Sequence, residues 1–295
     1  AGLVSAEVSI VIVSYNSRRH LPRCIDSLRE HTQGVNYEII VVDNASRDGS
    51  AAFVSESYPS VRVVARKTNG GYAAGINEGV RASLGRFIFV INPDTHIYAD
   101  VASTLAASLR DRPDAGVVAP RLLDNDGTLQ LSCRAFPGYT TALFNRYSFF
   151  TRVLPSNRFS RDYLMSDFDH ASARDVDWVS GAAIMFPRAV FDAVGGWDTG
   201  FFMFNEDVDF CRRVTDAGYR IVYQPEATVY HAIGVSKNPN VRLIVERHTS
   251  MWRYYRKHLR NNVAIDVLTA AAIAARCALL LGQHGAKSAV TRLRR

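Results

Sequence analysis

Residues 8–16 read VSIVIVSYN, a β-branched apolar run that stops at a polar cluster. A strand of this composition suits burial on both faces of a sheet. Residues 37–44 (YEIIVVDN) and 87–94 (FIFVINPD) repeat the pattern, and 61–65 suit a shorter strand. Helical spacing fills the intervals. Leu21, Cys24, Ile25 and Leu28 follow the first strand; 71–83 presents Ala73, Ala74, Asn77 and Val80; 101–111 reads as a further helix, and 116–119 as a strand. Residues 44–50 (NASRDGS) are dense in turn formers. The alternation predicts an α/β fold: a Rossmann-like nucleotide-binding sheet, mostly parallel, with helices on both faces. Ligands of such sheets bind beyond the carboxyl ends of the strands. Ser14-Tyr15-Asn16, Asp43-Asn44 and Asn92-Pro93-Asp94 stand at three of those ends. One such cluster is a turn; three on one edge make a site.

The chain has 295 residues, 47% of them apolar, enough for a sizeable core. Its four cysteines are scattered with no CxxC pair, which suits buried, reduced thiols and a reducing compartment. The apolar run 8–13 lacks the basic flank and cleavage site of a secretory signal. The net charge of +7 is uneven: residues 242–295 hold eleven Lys and Arg against two Asp and Glu, and 1–241 hold 24 against 26. The expected division is a domain over 1–241, with a nucleotide-binding half at 1–120 and an acceptor and catalytic half at 121–241, followed by a basic helical tail at 242–295. A basic tail suits anionic lipid or nucleic acid, and equally a solvated helix.

Residues 122–175 are rich in aromatics (Phe136, Tyr139, Phe144, Tyr147, Phe149, Phe150, Phe159, Tyr163) and poor in clean periods, as a loop-rich insertion or acceptor cover would be. Residues 176–187 suit a strand pair or a strand plus turn, and 188–194 a short helix. Asn205 is placed to cap a helix over 206–217; 221–224 and 228–231 suit two short strands. In the tail, Asn262, Asp266, Thr269, Arg276, Gln283 and Lys287 fall on one helical stripe amid Ala, Leu, Ile and Val. Asp266 and Arg276 interrupt the ~20 apolar residues that a membrane span needs. A helix lying in the membrane interface fits better, with packing on the domain or on another subunit as the alternative.

The ordered set VSIVIVSYNS, EIIVVDNASRDGS, a DxD-like Asn92-Pro93-Asp94 and GGWDTGFFMFNEDVDFCRR resembles the inverting family 2 glycosyltransferases of GT-A fold, over residues 8–231. KTNGGYAAGINEGV with FVINPDT is similar to the branch of bacterial, mycobacterial-type rhamnosyltransferases that act on polyprenyl-diphosphate-linked GlcNAc. The resemblance implies a nucleotide diphosphate sugar donor, dTDP-L-rhamnose, and GlcNAc-diphospho-polyprenol as acceptor. It also implies a Mn²⁺ or Mg²⁺ cofactor and peripheral placement at the cytoplasmic face of the plasma membrane, with no nucleic acid as partner. A homo-oligomer is compatible with it. It makes Asp43 the reader of the base, Asp94 with His231 the metal ligands, and Asp207 the base.

Elementary chemistry supports these roles beside their plainer alternatives. Asp43 can accept the ring N–H of uracil or thymine, with Ser14, Tyr15, Asn16 and Asn44 near the base or ribose; an Asx turn is the alternative. Asn69 and Gly70 open the 71–83 helix and could place N–H groups near phosphate, with Asn77 one turn on. A divalent cation offsets charge growing on a diphosphate leaving group, and hard cations prefer carboxylate oxygens. Asn92, where the family has an acid, removes one negative charge and weakens metal binding; a plain strand-ending turn remains open. His231 is as well explained by structure as by ligation. A helix over 206–217 puts Glu206 and Asp209 on one face and Asp207 about 100° from Glu206. Glu206, Asp209, Trp178, Gly181 and Trp197 are candidates for the acceptor wall, a core Trp being the alternative for Trp178. Arg212 or Arg213 could pair with the acidic cluster.

Other readings diverge on observable features. UDP-galactofuranose, UDP-GlcNAc and UDP-glucose donors keep the enzyme class. A nucleotidyltransferase would want glycines in 14–19, which are absent. A non-catalytic nucleic-acid binder would use the tail with strong salt dependence and leave the acidic cluster unexplained.

Overall fold

The first strand is the axis of the sheet. β1 (Val8–Ser14) is buried at all seven positions and pairs in parallel with β2 (Tyr37–Asp43) on one side and β4 (Phe87–Ile91) on the other. The computed structural model describes residues 6–138, 161, 163–232 and 240–293, without the side chains of 286–293. β3 (Arg62–Ala65) extends the parallel half beyond β2. Beyond β4 the direction reverses. β11 (Ala183–Pro187) runs antiparallel to β4 and to β6 (Ala115–Leu123). β12 (Arg220–His231) returns parallel to β6, and β5 (Thr95–His96) closes the edge. The path is β3-β2-β1-β4-β11-β6-β12-β5.

Alternation along β1 explains why both faces need helices. Val8, Ile10 and Ile12 pack with Leu21, Cys24, Ile25 and Leu28 of α1 (Leu21–His31) and with Val101, Leu105 and Leu109 of α4 (Val101–Asp111). Val11 and Val13 face the opposite layer, with Ala73, Ile76 and Val80 of α3 (Tyr72–Ala82). Each such buried aliphatic side chain contributes roughly 1.5–3 kcal/mol. α2 (Ser50–Ser57) adds Val54 to the first layer.

The second half departs from the sequence reading in detail. The strand expected at 116–119 runs over Ala115–Leu123. The two short strands expected around 221–231 are one long β12, and a register shift between Gln224 and Thr228 takes up the irregular stretch holding Pro225. Residues 174–187 form β9 (Arg174–Val176), β10 (Trp178–Val179) and β11. β10 pairs with β8 (Cys133–Arg134) as a separate ribbon, and β7 (Leu129–Gln130) lies on β6. Within the aromatic segment, Tyr139, Phe144, Tyr147, Phe149, Phe150 and Phe159 lie outside the described residues.

After a short α5 (Arg188–Ala193), α6 (Glu206–Asp216) packs Val208, Phe210, Cys211 and Val214 into the second layer. The region expected as one tail divides in two. α7 (Val241–His258) is built into the body, with Tyr254 and Tyr255 buried and Ser250 donating to the Met203 carbonyl. α8 (Val263–Leu293) folds back on α7, burying Ile273 and setting Arg276 against Met251, and leaves Val263, Val267, Leu268 and Leu279 exposed. Tyr255 and Arg260 satisfy Asp266, so that carboxylate interrupts the apolar surface less than its charge suggests. By length and composition, Val263–Gly285 is long and apolar enough to cross a membrane.

Candidate active site

The parallel strands deliver three polar ends to one rim. Ser14 is in register with Asp43, and Ile12 with Ile91, so Asn92 begins level with the end of β1. With β1 between them, β2 and β4 lie about 10 Å apart, a span for a nucleotide diphosphate.

At the β2 end, Asp43 is buried; its Oδ2 accepts the Ser46 N–H at 3.0 Å, and its Oδ1 has no donor among the described residues. Half of the carboxylate therefore makes an Asx turn and half awaits a hydrogen-bond donor. Ser14 Oγ is buried without a partner as well, and Tyr15 is exposed beside it. Asn16, left-handed at φ 52°, accepts the Arg47 N–H and ties the β1 and β2 loops together. Asn44 is spent internally: it donates to the Gly71 carbonyl and accepts from Arg66 at 2.6 Å. Arg66, which sequence reading missed, brings a guanidinium to this rim because its backbone N–H is fixed on the Asp43 carbonyl.

At the β4 end, Asp94 and His231 meet. Gln130 Nε2 donates to the His231 carbonyl at 2.7 Å and to Asp124 at 3.1 Å, which fixes its Oε1 as the acceptor of His231 Nδ1–H at 3.0 Å. Nε2 is left facing the rim, 3.4 Å from Asn92 Nδ2 and 3.5 Å from Asp94 Oδ1. An imidazole nitrogen and a carboxylate oxygen side by side, with the other ring nitrogen held by Gln130, are a donor pair that fits a divalent ion. Among the described residues no group of three or more His, Cys, Asp and Glu gathers. A cation held by these two donors would take its remaining coordination from phosphate and water.

Tyr72, also missed in the sequence, links this end to the acidic helix. Its hydroxyl lies 2.7 Å from Asn92 Oδ1 and 2.9 Å from the Gly181 carbonyl oxygen and can donate to either. Gly181 N–H in turn donates to Asp207 Oδ2 at 3.0 Å, and a Cβ at Gly181 would sit 3.3 Å from that of Asp207. Burial, then the charges of Glu206, Asp207 and Asp94, push the Tyr72 phenol well above its ordinary range, so it remains a donor. One hydroxyl thus links Asn92, two residues before Asp94, to Gly181, whose N–H holds Asp207.

Asp207 begins α6, half-buried, with Oδ1 accepting the Val208 N–H. Burial raises its carboxyl above the ordinary range, against the lowering effect of the Gly181 and Val208 N–H groups. Glu206 is buried with Oε2 unpartnered, and burial followed by the Asp207 charge raises it well above its ordinary range. Desolvation outweighs the favourable field of the helix N-terminus at both carboxyls. Asn205 does not cap the helix with its side chain; with Phe204 it forms consecutive left-handed residues at φ 63° and 71°.

Several expected ligand contacts are internal instead. Asn77 clamps Trp197 by both its N–H and its carbonyl. Trp197 is buried, stacked on Phe210 at 4.7 Å, so only its ring edge, near Gly181, borders the cleft. Trp178 is buried too; its Nε1 donates to the Ala135 carbonyl and Arg134 covers its ring, leaving it a core residue. Asp209, expected at the acceptor, is fully buried between Arg213, Lys257 and His258 at 2.7–2.9 Å, and these lower its pKa against burial. Arg213, rather than Arg212, pairs with the acidic cluster. Asn69 accepts the Gly71 N–H in a turn, and Gly70 packs under Arg66. Arg134, unremarked in the sequence, is close enough to lower the Asp207 pKa.

The sequence signature of Glycosyl transferase family 2 matches residues 9–165, more than half of the chain. The chain belongs to that family and is a glycosyltransferase. It is 29% identical over 281 residues to the N-acetylglucosaminyl-diphospho-decaprenol L-rhamnosyltransferase of Mycobacterium tuberculosis, covering 87% of this chain and 90% of that protein. Rhamnosyltransferase WbbL of Escherichia coli is 26% identical over 239 residues, 79% of this chain and 85% of that one. Among solved structures, the mannosyltransferase PcManGT of Pyrobaculum calidifontis, in complex with GDP-Man and Mn²⁺, superposes with a TM-score of 0.58 at 18% identity, covering 96% of this chain and 81% of that one. GalNAc-T7 with UDP, GalNAc and Mn²⁺ gives 0.59 at 16% identity, over 86% and 49%. The fold is GT-A.

Proposed function

We propose that this protein is an inverting rhamnosyltransferase that moves L-rhamnose from dTDP-L-rhamnose to a GlcNAc-diphospho-polyprenol at the inner face of the plasma membrane. The observation that carries the reading is the Tyr72 hydroxyl, which ties Asn92, beside Asp94, to Gly181, the partner of Asp207. Leaving-group and base functions so placed flank a single reacting carbon. The rhamnose donor and lipid-linked acceptor rest on the two rhamnosyltransferase relatives. The membrane placement rests on α8.

In this reading Asp43 Oδ1 accepts the ring N–H of thymine, and Arg66 closes the nucleotide rim. Asp94 and His231 would hold Mn²⁺ or Mg²⁺, which when bound offsets the charge of the departing diphosphate. Asp207 takes the acceptor hydroxyl proton as its oxygen attacks the anomeric carbon opposite the diphosphate, so one displacement inverts the centre. Its raised pKa makes it a stronger base than an exposed aspartate. Burial and the Asp207 charge raise the Glu206 carboxyl well above its ordinary range, which disfavours a second negative charge beside the base.

The test is transfer to GlcNAc-diphospho-farnesol from dTDP-rhamnose, UDP-galactofuranose, UDP-GlcNAc and UDP-glucose, with Mn²⁺ or EDTA. Rhamnose transfer with inversion that EDTA abolishes supports the reading. Preference for a UDP sugar replaces the donor, and retention of configuration refutes the mechanism.

A further inference from the structure

The last two turns of α7 carry a feature that the reaction above does not use. Thr249, Trp252, Arg253, Arg256 and Lys257 line an open cavity of about 560 Å³ whose far wall is the turn from Asp198 to Gly200. Asp198 takes an ion pair from Arg253 at 3.0 Å and from Lys257 at 2.8 Å. Lys257 also reaches the buried Asp209. Arg256 has no partner among the described residues, and Asp198 is the only carboxylate in the lining. Gly200 lets Arg253 lie flat there, since a Cβ would strike its guanidinium. Trp252 stacks on Tyr255 and stiffens the wall.

The cavity's position is specific. Trp197 borders Gly181 and Asp207, and the next residue, Asp198, borders the cavity. One turn of chain therefore separates the base from a cluster of surplus cations. The exposed apolar helix α8 starts at Val263, one short link after α7 ends at His258. An anion held here would sit between the catalytic cleft and the element that meets the bilayer. A saccharide carried on a prenyl diphosphate has that order of parts: hydroxyl, sugar ring, diphosphate, hydrocarbon. Guanidinium forks suit phosphate oxygens, and an unpaired one has the most to gain.

We propose that this cationic cavity binds the diphosphate of the prenyl-diphosphate-linked acceptor, with Arg256 as its principal contact. The proposal rests on the lipid-linked acceptor of the function above, and its test separates the two. Farnesyl diphosphate is titrated calorimetrically in EDTA into the full chain and its Arg256→Glu, Arg256→Lys and Asp94→Asn variants. The native chain and Asp94→Asn bind; Arg256→Glu loses affinity about tenfold, and Arg256→Lys keeps most of it. In transfer assays, Arg256→Glu raises the ratio of KM for GlcNAc-diphospho-farnesol over KM for an octyl GlcNAc glycoside by the same factor. Flotation with vesicles rich in phosphatidylglycerol is unchanged. Equal farnesyl diphosphate affinity in the native and Glu chains overturns the proposal. Loss of flotation with unchanged farnesyl diphosphate affinity also overturns it, by assigning the cavity to bilayer headgroups. Absence of sugar transfer to either acceptor refutes the function, while the titration still decides the cavity.

Discussion

His231 Nε2 faces Asp94 Oδ1 at 3.5 Å, although the two residues are 137 positions apart and come from different halves of the sheet. The contact exists because β12 runs on past its register shift to reach the rim where β4 ends. Gln130, on β7, holds Nδ1 of the imidazole and so turns Nε2 toward the carboxylate.

Replacing Gln130 with Ala frees that imidazole. Partners that orient a ligating histidine typically account for 10–100-fold in metal affinity, so Gln130→Ala weakens Mn²⁺ binding by about tenfold in the presence of dTDP. Electron paramagnetic resonance of free Mn²⁺ measures it. Unchanged affinity would remove His231 from the ligand set.

Asp207→Asn keeps one of the two backbone contacts, Gly181 N–H on Oδ2 or Val208 N–H on Oδ1, and cannot take a proton. Transfer falls by about 10²–10⁴-fold, the usual contribution of a general base. Nucleotide affinity, followed by dTDP titration, stays as it was. Joint loss of both would mark Asp207 as a folding residue.

Tyr72→Phe deletes the single proton shared between Asn92 Oδ1 and the Gly181 carbonyl and leaves one more acceptor unserved. The expected cost is about 1–3 kcal/mol in thermal or denaturant stability, with a lower kcat as the acidic helix loosens against the metal end. A native unfolding midpoint with native kcat would show that the bridge does neither job.

Activity and stability should respond to pH in opposite senses. Asp207 must be ionised to act, and burial raises its pKa, so kcat/KM falls on acidification at a higher pH than an ordinary aspartate gives. Glu206 is also raised, so the native state binds a proton that the unfolded state releases. Its stabilising contribution is present below the ordinary glutamate range and is lost as pH rises through its native pKa. Glu206→Gln therefore gains thermal stability relative to the native chain at pH 8 and gains little at pH 4. Parallel melting curves across that range would contradict the buried, proton-holding Glu206.

Removing residues 262–295 deletes the exposed apolar helix and its link while leaving α7 in place. Flotation with anionic vesicles should drop sharply, and transfer to a soluble GlcNAc glycoside should persist. Vesicle binding that survives the cut would place the membrane contact elsewhere.

The parallel half was legible because β1, β2 and β4 are buried on both faces, which forces near-continuous apolar runs. The antiparallel half was not: β8, β9 and β10 have two or three residues each, too short for any period. Polar strand ends pointed to Asp43 and Asp94, since position along a parallel strand predicts the rim; Asp207, in the first turn of a helix, was singled out by the family resemblance. Asn77 and Asp209 were misplaced for the converse reason. Each is a polar residue on a helix whose partner, Trp197 or the His258 end of α7, is remote in sequence, and helical spacing says nothing of what a side chain will meet. Tyr72 and Gln130 carried no signal at all, because their importance lies in acceptors 109 and 101 residues away.

Phe204 and Asn205 turn the backbone left-handed twice in succession just before the acidic helix, a conformation that costs of order 1–3 kcal/mol per residue and needs outside support. That support comes from α7, through Ser250 on the Met203 carbonyl and Arg247 over the Phe204 ring. The smallest piece of this chain able to hold its proton acceptor in place therefore ends at about residue 258, far beyond the stretch that carries the family signature, and an expression boundary drawn at the close of the sheet would yield a nucleotide binder without chemistry.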